Sequence, residues 1–397
     1  MNVINGKIDC KPAETGYDES RIDKLNERLQ NMIDRKLVHG ATYCISHKGK
    51  IIANGSLGRN NALGEDTPMQ PDTVFGIASI TKTFTATAIM QLVEDGIFNL
   101  NDPVSDWLPQ FRKKPFSDIK IIHLLTHTSG LYPDGGCFDE ISPKSSWELV
   151  SDAFRLWNKE GGFDWIAAGI SAGLRRPVGT EWQYSSFVFC VLGEIITRAS
   201  GVFAPEYIEK NILKPLKMQD SAFELTPALA KRAFVCDEDE QRYLNYIISG
   251  NMPERNDEQK MWDSIPATGG GLSSTVRDLV RFGNAFVYGG RLDGARILGR
   301  KSVEKMSKVQ LSGVPDHCWG AQEPNRLYGI GFDIRRTPAF SYSDRTIMHE
   351  GSGASSIDFD LDEELVAAWY VPFNEVPNGW CPEPLYNVQN IIWSGLI

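Results

Sequence analysis

A helix followed by a hairpin near the start of the chain, matched by a hairpin followed by a helix near its end, constrains this sequence more than any other feature. From Asp18 onward, Ile22, Leu25, Leu29, Met32 and Leu37 recur at roughly helical spacing, with Asp18 or Ser20 as cap and Gly40 as stop. Two strand-like runs, 41–46 and 51–55, then flank His47-Lys48-Gly49-Lys50, a tight turn containing glycine. At the far end a strand-like run over 346–349 precedes a glycine turn, and the runs 356–360 and 364–370 flank Leu361-Asp362-Glu363 as a second hairpin. Residues Leu385 to Trp393 read as a closing amphipathic helix. Both ends therefore predict one antiparallel sheet with helices packed on it, and the middle becomes an insertion.

That middle is dominated by helical patterns: Thr81 to Glu94, Ser117 to Leu125, Ser186 to Arg198 and Ser274 to Phe286. Polar, glycine- and aromatic-containing stretches at 131–165 and 236–263 read as long loops over a cleft. The expected fold class is α+β. Residues 18–80 and 311–397 form the sheet subdomain, residues 81–310 form a mostly helical insertion, and the chemistry lies at their junction. A chain of 397 residues is long enough for two subdomains.

Charge excludes some functions. With a net charge of −10 and no Lys/Arg cluster, nucleic acid is not an expected partner. No uninterrupted apolar run approaches bilayer length, and the first residues lack a basic start followed by an apolar stretch. The expectation is a soluble cytoplasmic protein without a membrane span. Cysteines 10, 44, 137, 190, 236, 318 and 381 show no Cys-x-x-Cys spacing, which suits free thiols in a reducing compartment.

Three Ser-x-x-Lys tetrads occur, at Ser79/Lys82, Ser117/Lys120 and Ser302/Lys305. Ser117 and Ser302 open helical patterns and read as N-caps, whose hydroxyls satisfy orphan backbone donors. Ser79 also opens a helix, but here the lysine one turn later lies on the same face, within reach of the hydroxyl. A serine hydroxyl is a poor nucleophile until something takes its proton, and a lysine does so when burial or cationic neighbours hold it neutral. The helix N-terminus adds partial positive charge near the developing alkoxide. Tyr184, just ahead of a buried-looking helix, is placed to relay a proton to a leaving group. His349, before Glu350-Gly351-Ser352-Gly353, is placed to orient a substrate carboxylate, with glycines allowing close backbone approach.

Ser79-x-x-Lys82, Tyr184-x-Ser186 and His349-x-Gly351 together resemble the three motifs of the superfamily of class C β-lactamases, D-alanyl-D-alanine peptidases and family VIII esterases. Further similar segments are Leu124-Leu-Thr-His-Thr-Ser-Gly130, Gly269-Gly-Gly-Leu-Ser-Ser-Thr-Val-Arg-Asp-Leu279 and Tyr328-Gly-Ile-Gly-Phe332, in family order over nearly the whole chain. The resemblance implies a β-lactamase/transpeptidase-like fold and a cofactor-free serine hydrolase. In that reading Ser79 becomes acylated, Lys82 and Tyr184 share proton transfer, and the backbone N–H groups of Ser79 and Ser352 form the oxyanion hole. His349 and Gly351 stand in the third motif. Ser186 stands where β-lactamases carry asparagine, and a shorter hydroxyl cannot supply the amide donor that contacts a β-lactam side chain. A small ester, amide or peptide is therefore the expected substrate, with esterase activity preferred. A β-lactamase or D-Ala-D-Ala carboxypeptidase is the alternative, and a non-catalytic ligand-binding or scaffold relative is the alternative of another class.

Rival motifs are weaker. Gly169-Ile-Ser171-Ala-Gly173 matches a nucleophile elbow, but no strand run precedes it and Pro177 stops any helix after it. The glycines at 269–271 lack the strand and lysine of a phosphate loop. His123 and His127 have no third ligand at motif spacing, so no metal is expected. Tyr132, Phe138, Trp147, Trp157, Phe163 and Trp165 either line an apolar pocket or pack their loop onto the body.

Overall fold

At the first hairpin the two turn residues, Lys48 and Gly49, both take positive φ, 50° and 69°. This is the primed turn whose twist matches that of paired strands, and it joins strands Gly40–His47 and Lys50–Gly58. The computed structural model describes residues 2–137, 143–374 and 385–397. Within it these strands lie in a six-stranded antiparallel sheet, in the order Ile4–Asn5, Lys50–Gly58, Gly40–His47, Leu365–Tyr370, Ser355–Asp360, Thr346–Gly351. The chain ends meet in its centre, where Leu365 pairs with His47 and Tyr370 with Thr42.

Side chains alternate across the strands. Ala41, Tyr43, Ile45, Leu365, Ala367 and Trp369 pack under the two terminal helices, Ser20–Asp34 and Tyr386–Trp393, with Leu25, Leu29, Val388 and Ile392. Cys44, Val366, Ala368, Ile357 and Phe359 face the larger core. Helix Val276–Val287 lies directly on that face, close enough that a Cβ on Gly283 would come 2.4 Å from Val366 and 2.6 Å from Phe359. Both faces are covered, which explains why the central strands are buried along their whole length.

Helix Thr81–Glu94 is buried from Thr81 through Met90 and is packed against helix Ser186–Ser200. Helix Ser186–Ser200 stops at Gly201, which takes φ 71°. Several expectations are corrected. The stretches 131–165 and 236–263 contain helices Ser146–Leu156, Glu238–Ser249 and Asp257–Ser264, each opened by a side-chain cap: Ser145, Asp237 and Asn256. The pattern from Ser117 to Leu125 is broken into a 3-10 turn, Phe116–Asp118, and a helix, Ile121–Leu125. Neither Ser117 nor Ser302 is a cap, since the cap positions fall on Pro115 and Gly299. Phe138 and Cys381 lie outside the described residues. The six described cysteines are free thiols. No single described helix is long and apolar enough to cross a membrane.

Candidate active site

Ser79 sits in a 3-10 turn, Ala78–Ile80, that runs straight into helix Thr81–Glu94. Ala78 holds φ at 45°, a left-handed conformation costly for a residue with a Cβ and found where surrounding structure fixes a functional turn. The turn is tied from one side by strand pairing of Phe75–Gly76 with Ser273–Ser274 and by the bond from Ile77 N–H to the Leu272 carbonyl. From the other side strand Thr346–Gly351 presses so close that a Cβ on Gly351 would lie 2.4 Å from the Ile77 carbonyl oxygen. Only a glycine permits this approach. Ser79 is not at a cap position, since the caps fall on Ile77 and Ile80. Its hydroxyl meets Lys82 instead.

Lys82 Nζ lies 3.0 Å from Ser79 Oγ and donates to the Gly269 carbonyl at 2.6 Å. Its side chain is wholly buried, with the rings of Tyr184 and Phe189 at 4.8 and 5.7 Å. Burial pulls its pKa down to about 8, against the opposing field of Asp134. The glycine stretch 269–271 is thus a loop, as the missing strand and lysine imply, and it has a use: its first carbonyl fixes the lysine. Gly269 must be glycine because a Cβ there would come 2.5 Å from the Ser186 carbonyl oxygen.

Tyr184 stands on the segment leading into helix Ser186–Ser200, its hydroxyl within hydrogen-bonding reach of Ser79. Burial pushes its pKa well above the ordinary value, so the phenol is protonated at neutral pH. His127 packs against the phenol at 4.5 Å between ring centres, and its Nδ1 accepts from Ser185 N–H at 3.2 Å. Burial, then the fields of Lys82 and His349, keep His127 uncharged. His123 lies apart, its Nδ1 accepting from Lys120 N–H, so the two histidines do not share a site.

The third motif forms one wall. His349 Nδ1 lies 2.7 Å from the Glu350 carbonyl oxygen, so this nitrogen carries the proton and Nε2 is the ring's acceptor. Burial lowers its pKa to about 4, which leaves it neutral at pH 7. Ser352 follows in the turn after the strand, exposed at the rim.

These residues surround a cleft of about 620 Å³. Ser79, Tyr184, His349, Gly351 and Ser352 line it, and Lys82 lies buried beside Ser79. Ser186 is placed differently. Its hydroxyl accepts from Trp147 Nε1 at 2.9 Å, and its backbone N–H donates to the carboxylate of Asp134, a cleft residue the sequence reading missed. Of the suggested loop aromatics, Trp147 and Trp165 pack with Phe187, and Trp157 and Phe163 with Phe154. The aromatic walls of the cleft are Trp182, Trp319, Tyr328, Trp369 and Phe373. Ser171 lies exposed in a turn after the short helix Trp165–Gly169, away from any strand.

A family model described as Beta-lactamase matches residues 25–377. Protein Rv1367c of Mycobacterium tuberculosis is 30% identical over 340 residues, covering 81% of this chain and 80% of that protein. Esterase EstB of Burkholderia gladioli is 32% identical over 220 residues, covering 51% of each. The crystal structure of a family VIII carboxylesterase has the same fold, with a TM-score of 0.71 at 18% identity over 99% of both chains.

Proposed function

Because the chain belongs to the β-lactamase family, we propose that it is a serine hydrolase that forms an acyl-enzyme on Ser79, with a carboxylesterase-like preference for small esters over β-lactams. The observation that carries this reading is the contact between Lys82 Nζ and Ser79 Oγ at 3.0 Å, made by an amine whose burial lowers its pKa to about 8. A neutral amine that donates one N–H to Gly269 keeps its lone pair for the serine proton.

In the acylation step Ser79 Oγ bonds to the substrate carbonyl carbon as its proton passes to Lys82. The bond to the leaving group then breaks, and the proton returns to that group through Lys82 and Tyr184. Water repeats the sequence in reverse and frees the acid. The backbone N–H groups of Ser79 and Ser352 serve as the oxyanion hole, the electrostatic contribution that acyl transfer most depends on. The similarity to Esterase EstB supports ester substrates. The Ser186 hydroxyl, turned to Trp147 Nε1 from which it accepts, stands where an amide donor for a β-lactam side chain would be expected, and this weighs against β-lactams.

Treatment with a fluorophosphonate probe, followed by intact-mass measurement, tests the assignment. Wild type and Ser171→Ala are expected to gain one adduct and Ser79→Ala none. An adduct lost with Ser171→Ala, or none on folded wild type, refutes it. Cephalosporins cleaved faster than short-chain aryl esters would overturn the preference.

A further inference from the structure

Charges around the cleft are unevenly matched. Asp333 pairs with Arg326 at 2.7 Å and Arg335 at 3.1 Å, Glu350 pairs with Arg335 at 2.6 Å, and Asp316 lies 3.7 Å from Arg326. Asp134 lines the same cleft and has no ion-pair partner among the described residues. Its backbone N–H donates to the Tyr184 carbonyl at 2.9 Å, which fixes it beside the phenol. Both carboxylate oxygens lie 3.0 Å from the Ser186 N–H. Lys82 is the cation whose field reaches it, and burial pulls the pKa of that amine down to about 8.

Beside position 186, where the resemblance leads one to expect a carboxamide, the polar group offered to the cleft is therefore a carboxylate. A carboxamide both donates and accepts, whereas a carboxylate only accepts. His349, neutral with Nδ1–H committed to a carbonyl, adds a second acceptor to the lining of the cleft. We propose that Asp134 is a specificity-determining residue that selects acyl substrates carrying a protonated amine beside the reacting carbonyl, as in amino-acid esters and amides and the N-terminal residues of peptides. The proposal rests on the reading of Ser79 as nucleophile and names the substrate class of that same site. Burial pushes the Asp134 carboxyl above its ordinary range, against the field of Lys82, and a docked ammonium adds a counter-charge from the cleft.

The competing role is structural: Asp134 also sits at the N-terminus of helix Ser186–Ser200, where a carboxylate is favourable. Asp134→Asn separates the two roles, because the amide keeps an acceptor oxygen for the Ser186 N–H and removes the charge. In the Ser79→Ala protein, which does not turn over, alaninamide is expected to bind at least about tenfold more tightly than propionamide by NMR titration, the size of a charge-assisted hydrogen bond. Adding Asp134→Asn brings that ratio to within about twofold. With Ser79 intact, the kcat/KM ratio of alanine methyl ester (either enantiomer) over methyl propionate at pH 6.5 is expected to fall at least about tenfold on Asp134→Asn, the fall and not the ratio itself being the readout because the ammonium activates its own ester. Equal binding of the two amides to Ser79→Ala overturns the proposal, and so does a preference that Asp134→Asn leaves intact. If neither ester is hydrolysed, the acyl-enzyme reading fails while the binding ratio still decides the role of Asp134.

Discussion

The carbonyl oxygen of Gly269 accepts from Lys82 Nζ at 2.6 Å, and this bond aims the amine at Ser79. A neutral amine can keep that bond and still take a proton, whereas an ammonium has no lone pair to offer. The ionisation of Lys82 should therefore be visible in the rate. With its pKa pulled down to about 8 by burial, kcat/KM is expected to rise about tenfold per pH unit below pH 8 and to level off above it. Lys82→Arg keeps a cation at every accessible pH and is expected to lose on the order of 10² to 10⁴ in kcat. A profile flat from pH 6 to 9 would contradict the assignment of Lys82 as the base.

Tyr184→Phe removes the relay hydroxyl and leaves the ring on which Lys82 and His127 pack. The expected outcome is a kcat lowered about 10² to 10⁴-fold, a KM within a few-fold of wild type and an unchanged melting temperature. A loss smaller than about fivefold would remove Tyr184 from the proton path.

Gly351→Ala places a Cβ 2.3 Å from Ser355 Oγ and 2.4 Å from the Ile77 carbonyl oxygen. A hydroxyl can rotate away, but the backbone of the nucleophile turn cannot. Overpacking of this kind costs about 1–3 kcal/mol, while a displaced nucleophile costs on the order of 10²-fold in rate. Activity should therefore fall much further than thermal stability. Calorimetry beside kcat/KM separates the two effects, and a fully active variant would show that the contact does not set the Ser79 position.

Asp358 lies buried in the sheet, bonded by the Tyr342 and Ser356 hydroxyls and the Gln389 amide, and burial pushes its pKa up to about 7. A carboxyl raised in the folded state stabilises it most below its unfolded value of about 3.9, and that contribution is lost as pH rises toward 7. Asp278, raised to about 6 by burial, acts in the same direction. The measurement that isolates Asp358 is the difference between wild type and Asp358→Asn. Wild type should lose more melting temperature than the variant between pH 5 and pH 8, and parallel curves would refute the shift.

The sheet was legible because its strands carry their own signals: β-rich runs, a Lys-Gly turn, and side chains that serve two covered faces. Ser79 and Lys82 were legible as a pair because one helical turn brings them together whatever surrounds them, whereas Tyr184 was reached only through the resemblance of the three motifs taken together. Asp134 was not, since a single aspartate between Pro133 and Gly135 carries no periodicity, and its importance arises from a tertiary contact with Ser186. The helices in the supposed long loops had a readable mark in their capping boxes, Ser145 with Glu148 and Asn256 with Gln259. Their polar faces and flanking glycines outweighed it. Aromatic composition also misled, because Trp147 spends its polar atom on Ser186 and its ring on Trp165 and Phe187.

Strand Gly40–His47 completes its pairing with a partner more than 300 residues further along the chain. During synthesis the intervening helical segments leave the ribosome long before that partner exists, so the early hairpin waits with one edge open, a position that invites pairing with other chains. The proposed active site is therefore complete only after the last strands emerge. A growing chain stalled anywhere upstream holds Ser79 without the wall that presses it into place.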